Sequence, residues 1–296
     1  MGVVFALLAA FANALSSVLQ RRAAMQEPGE ETFSLKLIGA LLRRRGWYLG
    51  ILALILGFLL QALALSASTL ALVEPLLIAE LPLTILIASA TLAPDTRIPR
   101  SVWIAIAAVT IGLSALMLSA APSGGNAARV PVWHWTLFAI AAAGAICLLV
   151  LAGSRVRGDA RAALLGAAAG SGFGISAALI KSATEALHEG AGALFSSWQL
   201  YAMVLVGLTS LALFNNAVHS GRLVAVQPAV TLSDPIVSVL IGVTLFHEHV
   251  RTGLLLLPEL CGLGLIVIGT MGLAKSAQML DTPVHAPPHG RAYAVE

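Results

Sequence analysis

LALVEPLLIAELPLTILIASATLAPD, residues 70–95, and LVAVQPAVTLSDPIVSVLIGVTLFHE, residues 223–248, are two apolar runs written to one pattern. Setting Leu70 on Leu223, a shift of 153 positions, brings Val73 onto Val226, Pro75 onto Pro228 and Pro82 onto Pro235. The register continues with Thr91 on Thr244, Leu92 on Leu245 and Asp95 on Glu248, and upstream with Tyr48 on Tyr201. Proline lacks a backbone donor and is costly inside a helix, so two matched prolines outweigh many matched leucines. At a shift of 160, Ala9, Ser16, Leu19 and Arg21 fall on Ala169, Ser176, Leu179 and Lys181. The seven-residue difference is taken up in one connection, Arg21 to Tyr48 against Lys181 to Tyr201. The chain therefore reads as an internal duplication.

The solvent of this fold follows from composition. Of 296 residues, 58% are hydrophobic and only 10% charged, with a mean hydropathy of +0.92. A soluble domain carries about a quarter of its residues as charges, and so few cannot cover a water-facing surface. Apolar stretches of about twenty residues suit a bilayer. They fall at about 2–20, 47–65, 69–92, 101–119, 132–152, 162–181, 198–217, 223–246 and 254–273, giving an all-α polytopic membrane protein of about nine spans. The run 32–42 is too short to cross and is interrupted by Lys36, so it reads as an interfacial or re-entrant piece. The N-terminus has no basic residue before its apolar run, so it reads as a retained first span and not a cleaved signal.

Lys and Arg fix the orientation, because cytoplasmic loops are enriched in them. With the N-terminus outside and the C-terminus inside the cytoplasmic membrane, 14 of the 17 fall inside, leaving only Arg129, Lys181 and Arg251 outside. Trp47, Trp103, Trp133, Trp135 and Trp198 stand at span starts, the level of the interfacial aromatic belt. The first span then runs inward and its partner, the sixth, runs outward. The expected organisation is two inverted four-span repeats, 1–120 and 161–274, joined by a linker span in 121–160 and followed by a disordered cytoplasmic tail, 275–296. Inverted repeats around a midplane site are a common plan of secondary transporters. Gly166, Gly170 and Gly174 repeat at four-residue spacing, with Ala6, Ala10 and Ala14 in the matching places. Such small-residue stripes let helices approach closely in lipid.

An ionisable residue at the bilayer centre costs roughly 2.5–3.5 kcal/mol on insertion scales, so each needs a reason. Glu74, Glu80, Asp234 and Glu259 all fall within spans. Glu80 and Asp234 lie nearest the midplane, just before the matched Pro82 and Pro235, whose missing N–H groups should free the carbonyls of Ile78 and Thr231. An acid beside a freed carbonyl is an oxygen pair suited to a hard cation or a proton, so a metal on Glu80 and Asp234 is open. Gln227, Thr231, Asp234 and Ser238 share one helical face. Glu74 and Gln227 are a matched pair, each before a proline, and Asn216, Asn215, Gln61, Asn13 and Gln20 are further candidates for a cavity lining. Kink capping and interhelical hydrogen bonding are the structural alternatives for these groups. Lys181 reads either as a snorkelling end residue or as a cavity cation, and His247-Glu248-His249 as an outer-face metal trap or as an ordinary loop.

Several of these stretches resemble the drug/metabolite transporter superfamily, with its EamA-like fold. The likeness covers roughly residues 2–273 and rests on Ala14-Leu15-Ser16-Ser17 through Arg21-Arg22, on Ser68 to Asp95, on Gly170 to Lys181 and on Leu223 to Glu248. The nine-span count and the missing full span between Ala23 and Gly46 are similar to the NIPA-type magnesium transporter branch. The resemblance implies a solute carrier and, for the branch, divalent cations. Several polar positions depart from the eukaryotic members, so magnesium itself does not follow.

Other classes fit less well. The basic residues sit at span ends, so the formal charge of +3 does not point to nucleic acid. Cys147 and Cys261 lie inside apolar runs and suggest neither a disulfide framework nor a metal site. No Walker A sequence and no aspartate-rich prenyl-diphosphate motif is present, and the expected topology brings no Ser/His/Asp set together. No enzyme activity and no cofactor are expected. The reading is a secondary transporter of a small solute or divalent cation. Its partners are membrane lipid, that substrate and, as an open assembly, a second copy in a homodimer. A magnesium-type facilitator, a non-transporting scaffold and a lipid-handling protein remain as alternatives.

Overall fold

The computed structural model describes residues 1–25, 45–92, 98–120, 122–125, 127, 130–249 and 256–281. The expected interfacial piece at 32–42, Asp95, Arg129 and Arg251 lie outside the described residues. Nine helical stretches among the described residues are long and apolar enough to cross a bilayer, Leu70–Thr91 counted as one, as the hydropathy predicts. Helices are the natural form here, because lipid offers no partner to a backbone N–H or C=O.

In chain order the first elements are α1 (Gly2–Met25), α2 (Arg45–Ala67), α3 (Leu70–Leu77), α4 (Glu80–Leu92) and α5 (Arg100–Ala120). A two-residue strand β1 (Ser123–Gly124) leads to α6 (Val132–Ser154). Then come α7 (Asp159–His188), the short α8 (Ala191–Ser196), α9 (Trp198–Ser220), α10 (Leu223–Thr244), β2 (Glu248–His249) and α11 (Leu256–Asp281). The last helix runs through Asp281, so a tail beginning at residue 275 is set too early. The third span is not one helix: α3 and α4 are separated at Ile78–Ala79, whereas α10 passes both of its prolines without a break.

α7 organises the packing. Its 30 residues span about 45 Å at ~1.5 Å per residue, beyond the ~30 Å of bilayer hydrocarbon. One face lies along α10 through the glycine stripe. A Cβ added at Gly166 would stand 3.1 Å from Val226 O, at Gly170 2.7 Å from Val230 O, and at Gly174 2.7 Å from Asp234 O. A second face meets α9, where a Cβ at Gly172 would sit 3.1 Å from Ser210 Cβ. α1 packs along α2 in the same way, with Gly57 against Asn13 and Gly50 against Gln20. α5 and α11 cross glycine on glycine: a Cβ at Gly112 would lie 2.6 Å from Gly262 O, and one at Gly262 2.8 Å from Gly112 O. α6 stands at the edge, against α7, with only Trp135 and Gly153 buried.

The outer surface is apolar. Ile104, Leu148 and Leu205, on three different helices, are 69%, 68% and 66% exposed, a burden that a water-soluble monomer does not carry so widely. Cys147 and Cys261 are also exposed, on that same apolar exterior. The main core gathers Leu65, Leu70, Val73, Ile241, Phe246 and Trp135 where α2, α3, α6 and α10 come together.

Candidate functional site

The break in the third span decides where the site forms. Pro75 and Pro82 each withdraw a donor from the helix. The chain answers with tight turns: Ile78 N donates to Pro75 O at 3.2 Å, Ala79 N to Leu76 O at 3.1 Å, and Leu81 N to Ile78 O at 3.1 Å. The Ile78 carbonyl is thus occupied, which corrects the expectation that Pro82 leaves it free for a cation. The consequence of the prolines is positional instead. They end α3 and restart the chain as α4, with Glu80 in the first turn of the new helix, where a negative charge is favoured.

Behind this break lies a cavity of about 580 Å³. Glu74, Glu80, Gln227, Thr231 and Asp234 all line it, so α3, α4 and α10 contribute jointly. Gln61 of α2 also lines it and donates from Nε2 to Glu74 Oε1 at 3.2 Å, holding a carboxyl only 5% exposed. Asn13 of α1 faces Glu80, and Glu74 and Asp234 lie within electrostatic reach of each other. Asp234 Oδ1 is buried and makes no hydrogen bond. The Ser238 hydroxyl, one turn on, lies near the carboxyl but outside hydrogen-bond geometry. Ser238 is fully buried against α7 beside Gly174 and does not line the cavity.

Other expected residues lie elsewhere. Asn216 is exposed and donates to Ala212 O at 2.9 Å, so the structure does not bring it to the cavity. Glu259 has a buried, unpartnered Oε1 but lies apart from the central lining. Sequence reasoning missed Ser17 and Ser176, and the aromatic wall of Phe58, Phe173 and Phe214. The phenylalanines carry no sequence signal that separates them from lipid-facing ones. Ser176 did carry one, its match to Ser16, although it is Ser17 and not Ser16 that lines the cavity.

A second polar cluster stands where α2 gives way to α3. Lys181 neither snorkels nor faces the cavity: it is 6% exposed, and Nζ donates to Leu65 O at 3.0 Å and to Ser68 O. Those carbonyls belong to the end of α2, where helical acceptors run out of donors. Glu248 does the reverse for α3, accepting from Leu70 N at 2.7 Å and Ala71 N at 3.0 Å. The two charges are 3.8 Å apart. Room for the Glu248 carboxyl comes from Gly242, where any Cβ would collide with Oε2, and from Gly125, where one would lie 2.6 Å from Cγ. Gly125 has φ +92°, so glycine is required there for backbone reasons too. Burial pushes Glu248 above the usual carboxylate range, and the two amide donors and Lys181 offset part of that rise. β1 and β2 pair antiparallel over this cap, Ser123 with His249 and Gly124 with Glu248. The metal-trap reading of His247-Glu248-His249 gives way here, since both oxygens of Glu248 are engaged by backbone. Among the described residues no three His, Cys, Asp or Glu side chains converge to hold a metal ion.

At the opposite end, Arg222 before α10 binds Asp159 at the start of α7: its backbone N donates to Oδ1 at 3.0 Å and Nε to Oδ2 at 2.8 Å. This pair is exposed, so solvent screening leaves it little weight in stability.

Comparisons with known proteins add a full-length likeness. No family model matches the chain, and no solved structure matches it. The chain is similar to an uncharacterized protein of Corynebacterium glutamicum, 26% identical over 292 residues, covering 94% of this chain and 96% of that one. The likeness therefore extends over nearly the full length of both chains.

Proposed function

We propose that this chain is a secondary transporter that carries a small solute or cation across the cytoplasmic membrane, and that it is not an enzyme. The observation that carries this reading is the central cavity, walled by helices of both repeats, with three acids and an unpartnered buried Asp234 oxygen. Buried acids with no structural partner are expensive in a membrane and mark substrate or ion pathways. A broken helix beside such a site is the usual device of carriers, since irregular backbone at membrane depth survives only where it lines a cavity.

Alternating access follows from inverted repeats. α1, α2, α3–α4 and α5 form one, α7, α9, α10 and α11 the other, with α6 as linker. The packing supports this: α1 lies on α2 as α7 lies on α9, and the last spans of the two repeats, α5 and α11, cross at Gly112 and Gly262. The N-terminus lies outside and the C-terminus inside. The chain belongs, on this reading, with the drug/metabolite transporter superfamily, its NIPA-type branch being the nearest likeness in span count. A scaffold would need no acid-lined cavity, and a lipid-handling protein would need its polar groups at one interface.

The test is uptake. Purified chain in proteoliposomes should move at least one member of a panel of cations and small metabolites above protein-free vesicles. Absence of flux across the panel, from folded protein of known orientation, would overturn the reading.

A further inference from the structure

The cavity's own chemistry narrows its occupant, an inference that rests on the transport reading for its physiological sense but concerns binding at the site. Three features of the wall matter. First, its charge is of one sign: Glu74, Glu80 and Asp234 line it, and no Lys, Arg or His is among the described residues that do. An anion is therefore disfavoured. Second, size and wetting disfavour a small metal ion. Magnesium takes near-octahedral oxygen coordination and keeps several waters. Six waters fill roughly 180 Å³ at ~30 Å³ each, a fraction of about 580 Å³, and much of the remaining wall is leucine and phenylalanine. Nor do three acidic or His side chains converge on a point among the described residues. Organic ligands typically occupy pockets of about 300–1,000 Å³.

Third, aromatic rings line the same cavity as the acids. Phe173 of α7 and Phe214 of α9 lie with centroids 6.5 Å apart and planes at 58°, and Phe58 of α2 joins them in the lining. Ring faces attract cations, and cages of this kind recognise substituted ammonium groups. Two polar side chains of α10 complete this wall: Thr231, 7% exposed, and Asp234, whose Oδ1 is buried without a hydrogen-bond partner.

We infer that this cavity binds a monovalent organic cation, a protonated or quaternary amine bearing an aromatic or branched apolar group. Asp234 is its counter-charge, and Phe173 and Phe214 are its cation–π wall. Thr231 supplies a hydrogen-bonding oxygen when the amine carries an N–H.

Benzyltrimethylammonium is a suitable probe, with benzyl alcohol as its neutral ring-bearing control and Mg²⁺ as the competing cation. Calorimetric titration of the detergent-solubilised full chain should show saturable binding of the ammonium. Asp234→Asn should weaken it at least tenfold and Phe214→Leu about threefold to fivefold, in line with the ~0.5–1 kcal/mol of an ordinary cation–π contact. Neither benzyl alcohol nor Mg²⁺ should displace it. The competition arms need no variant, so the inference stays testable if Asp234→Asn fails to fold. Equal binding of benzyl alcohol, displacement by Mg²⁺, or unchanged affinity in a folded Asp234→Asn protein overturns it. Flux of the same probe in proteoliposomes separates the two claims. Binding without any flux contradicts the carrier and leaves the site assignment standing; Mg²⁺ flux without ammonium binding contradicts the site assignment and leaves the carrier.

Discussion

Glu248 Oε1 stands 3.8 Å from Lys181 Nζ, and the two side chains between them close both ends of one helix junction. Lys181 takes the last carbonyls of the α2 end, and Glu248 takes the first amides of α3. A buried pair of this sort is costly to break, because the remaining charge is left without compensation. We expect Lys181→Met and Glu248→Ala each to lower stability by about 3–5 kcal/mol. His249→Ala, whose side chain caps nothing, should fall within about 0.5 kcal/mol of the parent. Thermal unfolding in one detergent reads all three. Similar losses for Glu248→Ala and His249→Ala would show that the cap is unimportant.

Packing gives a second prediction. Gly170 has Val230 O within 2.7 Å of where a Cβ would go, whereas Gly144 on the exposed side of α6 has nothing within 4 Å. Gly170→Ala should therefore cost about 1–3 kcal/mol by overpacking, and Gly144→Ala should be neutral or slightly stabilising. Equal melting temperatures for Gly170→Ala and Gly144→Ala would contradict the close α7–α10 contact.

Topology is tested by labelling. In a background lacking Cys147 and Cys261, a cysteine at Gly190 should react with an impermeant maleimide from outside intact cells. One at Gly158 should react only after the membrane is opened. Reaction of both from the same side contradicts the orientation and the inversion together.

The prolines show how far a linear reading reaches. Pro75 and Pro82 are seven apart, as are Pro228 and Pro235, and the matched spacing located both halves of the cavity wall. Yet only the first pair breaks its helix, and nothing in the proline pattern explains the difference. Glu74, Glu80, Gln227, Thr231 and Asp234 were legible because a polar group deep in an apolar run is rare and visible. Asn216 was misjudged because helical phase is not fixed by sequence at a span end: its amide turns back onto Ala212 O. The Lys181–Glu248 junction joins residues 67 positions apart in sequence and was missed, but its signal was present. The sequence matches at shifts of 160 and 153 set Arg21 against Lys181 and Asp95 against Glu248, a base on a base and an acid on an acid.

Charge removal in the cavity separates function from folding. Asp234→Asn and Glu80→Gln should each abolish uptake of whichever cation the parent carries. Melting temperature should stay unchanged or rise, because a buried charge that costs insertion energy has been removed. If the acids only brace the fold, the isosteric amides would keep transport near the parent rate, and Glu74 and Glu259 would be the acids left to test.

Access to the cavity tests the carrier without knowing its substrate. Ser17 lines the cavity from α1, so a single cysteine there, with Cys147 and Cys261 replaced, reports which face of the membrane the cavity sees. An impermeant methanethiosulfonate reagent, applied to right-side-out or to inside-out vesicles, should modify Ser17→Cys from either side, and Asp234→Asn should alter the ratio of the two rates. Modification from one side alone, at a rate no cation on the uptake panel changes, would mean a static pocket and would contradict alternating access.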